Sequence, residues 1–115
     1  MKPWYSDMYA NVDAMRLDEF VAGLTPDVEV GNNPAMKGRQ IVKEGIGHFF
    51  STIAGLKHHF VNVVEGQNLT FLEAKVDYRR KDGRQVTVPV VTVLERKGEL
   101  VSSLRIYFDV APVYA

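Results

Sequence analysis

Apolar residues change rhythm along this chain, from a helical spacing in its first half to alternation in its second. Tyr5, Met8, Tyr9, Val12 and Met15 fall on one helical stripe, with Pro3 tolerated in a first turn and Asp7 near the positive end of the helix dipole. The pattern restarts at Asp18, read as an N-cap, and carries Phe20, Val21 and Leu24 before Thr25-Pro26-Asp27 stops it. Val28-Glu29-Val30 predicts a brief strand. Gly31-Asn32-Asn33-Pro34 predicts a turn, because the residue before a proline is driven out of the helical region. Val42, Ile46, Phe49, Phe50 and Ile53 mark a main helix over residues 39–54, with Gly55 placed to end it. Beyond it, alternation predicts strands at 56–65, 69–80, 85–95 and 100–110, separated by short glycine-containing turns that make them antiparallel neighbours in a meander.

Each meander strand runs to about ten residues, or roughly 33 Å at 3.3 Å per residue, nearly twice the usual length. A twisted sheet of that length cannot lie flat in a small domain. The expected fold class is therefore α+β: a cone-shaped, curved antiparallel sheet of four long strands and one short strand, wrapped around the long helix, with two N-terminal helices and a cavity at the wide end. Pro89, inside a strand pattern, marks an edge or a bulge. The last two strands are apolar on both faces, with Val88 and Val90 against Val91 and Val93, and Leu104 and Ile106 against Val101 and Tyr107. Two buried faces in so short a chain imply a homodimer through the outer sheet face.

Composition narrows the partners. The chain has 115 residues, the length of a single domain (1–115) with a real core. Its 14 basic and 14 acidic residues cancel and are scattered, so neither nucleic acid nor an acidic membrane surface is favoured. The absence of cysteine removes disulfides, thiolate nucleophiles and cysteine-ligated metals, and makes a cytoplasmic location the default expectation. Lys2, Asp7, Asp13 and Arg16 interrupt any signal-like apolar run near the N-terminus, and the apolar stretch 86–94 is less than half the length needed to cross a bilayer.

The candidate chemistry centres on Phe71 to Arg79. As a strand it points Leu72, Ala74, Val76 and Tyr78 one way and Glu73, Lys75, Asp77 and Arg79 the other. The charged row is either a solvated sheet face or the wall of a pocket, where Lys75 and Asp77, about 7 Å apart at the backbone, would pair and do acid-base work. His58 and His59 point to opposite faces, so one of them can reach a cavity as a base working near neutral pH; His59, grouped with Val61 and Val63, is the one selected. The catalytic candidates are thus Asp77, Lys75 and His59. Tyr9 can donate its hydroxyl to a ligand oxygen, Asn32 can hold a water or a ligand, and Phe49, Phe50, Ile106 and Phe108 are candidates for the pocket lining. No histidine pair has metal-site spacing and no phosphate-binding loop is present, so neither metal nor cofactor is expected.

This element order, with Val-Glu-Val-Gly-Asn-Asn-Pro running into Lys37-Gly38-Arg39 and Leu104-Arg105-Ile106-Tyr107-Phe108-Asp109 closing the sheet, resembles the SnoaL-like branch of the nuclear transport factor 2-like superfamily. The resemblance implies an α+β cone. It leaves activity open, because that fold carries cyclases, isomerases, epoxide hydrolases, dehydratases and binding domains. Locally, Lys75-Val76-Asp77 is similar to the Arg-Val-Asp of limonene-1,2-epoxide hydrolase, which implies Asp77 as proton donor, Lys75 as bridge and Asn32 as a water holder. Val30 and Ile106 stand where that enzyme has its Tyr and its base. Against ketosteroid isomerase, Asn32 falls at the base position and Thr92 near the oxyanion Asp, with Tyr9 close to the Tyr position. Two function classes follow: an acid-base enzyme acting on a small, apolar, oxygenated molecule, or a non-catalytic domain of the same fold that binds such a ligand or serves to dimerise.

Overall fold

The structure is a computed structural model that describes residues 2–31 and 34–115. Its elements run α1 (Tyr5–Asp13), α2 (Leu17–Ala22), β1 (Leu24–Val30), β2 (Met36–Lys37), α3 (Arg39–Ser51), β3 (Gly55–Glu65), β4 (Leu69–Arg79), β5 (Gln85–Lys97), β6 (Leu100–Tyr107) and α4 (Ala111–Tyr114). One six-stranded sheet has the order β2-β1-β6-β5-β4-β3, antiparallel except where β1 lies parallel to β6. The α+β expectation holds: the sheet is curved and unclosed, and helices cover its concave side.

The long strands bend where their registers slip. Irregularities fall between Phe60 and Asn62 in β3, between Val101 and Ser103 in β6 opposite Arg96 and Glu95, and between Leu24 and Glu29 in β1. An extra residue on one strand kinks it and adds local twist, which turns a long ribbon into a curl. Pro89 pairs with Lys75 of β4, while the β5–β6 register begins only at Val91 opposite Tyr107. The far side of β5 is therefore free of β6 at Pro89, and the missing N–H leaves no ladder bond unmade.

The inner face of the sheet is hydrocarbon. Leu72, Ala74, Val76 and Tyr78 of β4 stand beside Thr92, Val90, Val88 and Val86 of β5 in register, and Val76 is fully buried. Val42 and Phe50 of α3 face this core, as do Tyr5 and Tyr9 of α1.

Several boundaries differ from the sequence reading. Thr25-Pro26-Asp27 does not separate a helix from a strand but lies within β1, where the register slip accommodates the proline. The second helix starts at Leu17, so Asp18 lies in its first turn rather than capping it. The third ends at Ser51, with the Thr52 hydroxyl donating to the Phe49 carbonyl at 2.7 Å; Gly55 instead opens β3, where a Cβ would meet the Arg79 guanidinium at 2.6 Å. The two-residue β2 and the four-residue α4 are too short to leave a periodic signal.

Candidate functional site

The helices and the curled sheet line a partly open apolar cavity of about 150 Å³. Its wall takes Met8, Tyr9 and Val12 from α1, Ile46, Phe49 and Phe50 from α3, and Ile106 and Phe108 from the end of the meander. Among the described residues its polar side chains are Tyr9, His58 on β3, Tyr78 on β4 and Thr92 on β5.

His58 is the imidazole of this wall. It pairs across the sheet with Val76, which places its side chain on the inner face. Asp13, the last residue of α1, holds it twice: the His58 backbone N–H donates to Oδ2 at 3.1 Å, and His58 Nδ1 lies 2.6 Å from Oδ1. Both side chains are nearly buried, 11% and 13% exposed. Beside a carboxylate that only accepts hydrogen bonds, Nδ1 is the ring nitrogen that carries the proton, and in the neutral tautomer this leaves Nε2 with its lone pair. Among the described residues Nε2 has no hydrogen-bond partner. The Tyr9 ring packs 4.6 Å from the imidazole, centroid to centroid.

Asp13 reaches this position through an unusual turn. Met15 and Arg16 donate backbone hydrogen bonds to the carbonyls of Val12 and Asn11, and Met15 adopts φ 54°, a left-handed conformation that glycine usually takes at a helix end. A carboxylate at the negative end of a helix dipole is itself disfavoured. What compensates is the pair of contacts to His58, with the Lys57 ammonium 3.9 Å away.

Burial raises the hydroxyl pKa of both cavity tyrosines. At Tyr9 the shift is large and the Thr92 side chain opposes it; Tyr78 is pushed up to about 12, with Tyr114 and Asp13 adding to the effect. Both hydroxyls remain protonated near neutral pH and can donate.

The structure brings Tyr9, Phe49, Phe50, Ile106 and Phe108 together on the cavity wall. Asn32 lies outside the described residues. Lys75, Asp77 and His59 are elsewhere, and the reading that turned the charged row inward is corrected here. The apolar row of β4 fills the core, so parity sends Glu73, Lys75, Asp77 and Arg79 to the outer face. There Asp77 accepts from the Thr87 hydroxyl at 2.6 Å and lies 2.8 Å from His59 Nε2, which together hold its carboxyl below the usual range. Choosing His59 over His58 fails for a related reason. The β3 irregularity reverses the parity, so Val63 faces inward opposite Leu72 while His59, before the slip, faces outward opposite Lys75. Asp13 escaped the sequence reading, although its spacing held a signal: Tyr5, Tyr9 and Asp13 recur four apart on one helical face.

Among the described residues no three His, Asp or Glu side chains gather as a metal site, and no helix is long and apolar enough to cross a membrane.

No curated protein matches the chain by sequence. Solved structures do match its fold. A protein of unknown function, described as NTF2-like, from Burkholderia pseudomallei has a TM-score of 0.85 at 18% identity, covering 97% of this chain and 95% of that one. A hypothetical protein of ketosteroid isomerase-like fold from Catenulispora acidiphila, in complex with trimethylamine, has a TM-score of 0.86 at 15% identity, covering 98% and 90%. TerC, co-crystallised with polyporic acid, has a TM-score of 0.79 at 16% identity, covering 91% and 88%. Identities this low speak to the fold alone. A family model, however, matches residues 5–104, nearly the whole chain and every element from α1 into β6, and on that match the chain belongs to the SnoaL-like domain family.

Proposed function

We propose that this protein takes a small, mostly apolar, oxygenated molecule into its cavity and that His58 moves a proton on it. The observation that carries the reading is the Asp13–His58 contact at 2.6 Å, which occupies one ring nitrogen and leaves the other, on a hydrocarbon wall, without a hydrogen-bond partner among the described residues. A base held in one tautomer on an apolar wall suits abstraction of a proton next to a carbonyl. His58 Nε2 takes the proton, the C–H electron pair moves onto the carbonyl oxygen, and the Tyr9 or Tyr78 hydroxyl donates to that oxygen. Returning the proton to another carbon isomerises the substrate; attack by the enolate on a second carbonyl cyclises it, the new alkoxide taking the proton back from His58; and expulsion of a β-hydroxyl that receives this proton and leaves as water dehydrates it. The complexes of two fold neighbours with trimethylamine and polyporic acid support a cavity that accepts small organic molecules. The outer face, where Val64, Phe71 and Tyr107 are 63%, 43% and 47% exposed, is proposed to meet a second copy of the chain.

The test is hydrogen-deuterium exchange at the α-carbons of acetophenone and cyclohexanone in heavy water, followed by proton NMR. The wild type is expected to accelerate exchange and His58→Gln to lose about a hundredfold of that acceleration with ketone affinity retained. Equal rates in the two proteins would reject the catalytic role. Binding without exchange would point to the second reading, a non-catalytic pocket, which the purely hydrocarbon character of most of the wall favours.

A further inference from the structure

The residues that follow β6 do not run on as strand. Phe108 lines the cavity, Asp109 accepts from the Ala111 N–H at 3.0 Å, and α4 folds back so that Val113 reaches the inner side of the sheet beside Val88 and Tyr78. Val113 is 3% exposed, the deepest side chain of the segment. Phe108 and Val110 pack half-buried against the same cluster, and the remaining attachments are polar and lie at the surface. The Thr52 and Tyr114 hydroxyls are 2.8 Å apart, Arg80 Nη1 donates to the Pro112 carbonyl at 3.4 Å, and Arg84 Nη2 donates to the Ala115 oxygen at 3.3 Å.

We infer that residues 108–114 form a strap whose release opens the cavity, with Val113 as its pin and the Thr52–Tyr114 contact as its latch. The inference rests on the cavity being the binding site, and concerns access to it rather than chemistry within it. Two features support a separable strap. Its hold on the body is one buried valine, the half-buried Phe108 and Val110 and solvent-exposed hydrogen bonds, and an attachment with a single fully buried side chain can open locally. The latch also joins the two parts of the wall that would have to separate. Thr52 caps α3 directly after Phe49 and Phe50, while the segment ending at Tyr114 carries Phe108, and all three phenylalanines face the same hollow.

The chain has no cysteine, so one introduced thiol gives an unambiguous report. Val90 lines the cavity, whereas Val28 is fully buried in the core away from it. In separate Val90→Cys and Val28→Cys backgrounds, the rate of modification by a thiol-specific disulfide reagent is measured with and without Val113→Ala. Loss of the pin is expected to speed modification at position 90 by about tenfold and to leave position 28 slow. Tyr114→Phe, which removes the latch hydroxyl and spares the packing, is expected to give a smaller acceleration at position 90 and none at 28; it stands alone should Val113→Ala fail to fold. Unchanged rates at position 90, or equal acceleration at both positions, would overturn the strap. Neither result depends on catalysis, so failure of the acid-base reading and failure of the strap are distinguishable.

Discussion

Asp13 shows at the scale of one residue how stability is exchanged for a site. Its carboxylate sits at the negative end of α1, where a neutral side chain is preferred by roughly 0.3–1 kcal/mol. Asp13→Asn relieves that misfit but gives up the charge-assisted contact to His58. The fold is expected to tolerate the change, with a thermal midpoint close to wild type, while ketone α-proton exchange falls and its pH profile shifts because the tautomer of His58 is no longer fixed. An unaltered pH profile would reduce Asp13 to a structural contact. Tyr78 gives a second test with a definite sign. Its folded pKa, about 12, lies above the ordinary value of 10.0, so its contribution to stability is complete below pH 10 and is lost as pH rises towards 12. In urea melts, Tyr78→Phe is expected to lose less stability between pH 9 and pH 11.5 than wild type; identical losses would remove the buried hydroxyl as the cause.

At the scale of elements, what the sequence disclosed tracks how many residues repeat a signal. The four meander strands and the main helix extend over eight residues or more, and the reading placed each of them close to its observed limits. The failures were local. A single irregularity in β3 reversed which histidine faces inward, and alternation alone contains no mark of where a strand slips by one residue. The alternation of β4 was legible, yet an ion-paired row reads the same whether it meets water or a hollow, and only the packing of Val76 and Leu72 resolves it. The junction that sets α3 on the sheet invites a direct test. Gly38 precedes the helix with φ 87° and ψ 148°, a region essentially closed to other residues, and a Cβ there would meet no atom closer than the Pro26 carbonyl at 3.9 Å. Gly38→Ala is therefore expected to cost about 1–3 kcal/mol through backbone strain rather than collision, read from urea denaturation. A neutral substitution would mean that the junction relaxes freely.

For the whole molecule, the two faces of one sheet differ in character. The concave face carries the cavity and His58, and the convex face pairs most of its charges internally: Arg105 with Glu95 at 2.7 Å, Asn62 with Glu73 at 2.7 Å, and His59 with Asp77 at 2.8 Å. Between these pairs lie Val64, Phe71, Val91 and Tyr107, in neighbouring registers across β3, β4, β5 and β6. Largely satisfied polar groups beside exposed hydrocarbon suit burial against a like surface, because most of the charges already have partners and the apolar area still faces water. In a twofold dimer each substitution is made twice, so a charge near the centre of the face acts strongly. Val91 lies opposite Glu73 on one side and Tyr107 on the other, and Val91→Glu adds like charge to that patch in both copies. Sedimentation is expected to move from a dimer to the 13.0 kDa monomer, with circular dichroism unchanged because the residue is already exposed in the single chain. A wild-type protein that sediments at 13.0 kDa at every concentration would leave this face without the proposed partner, while the Asp13–His58 site, built from one chain, would stand unaffected.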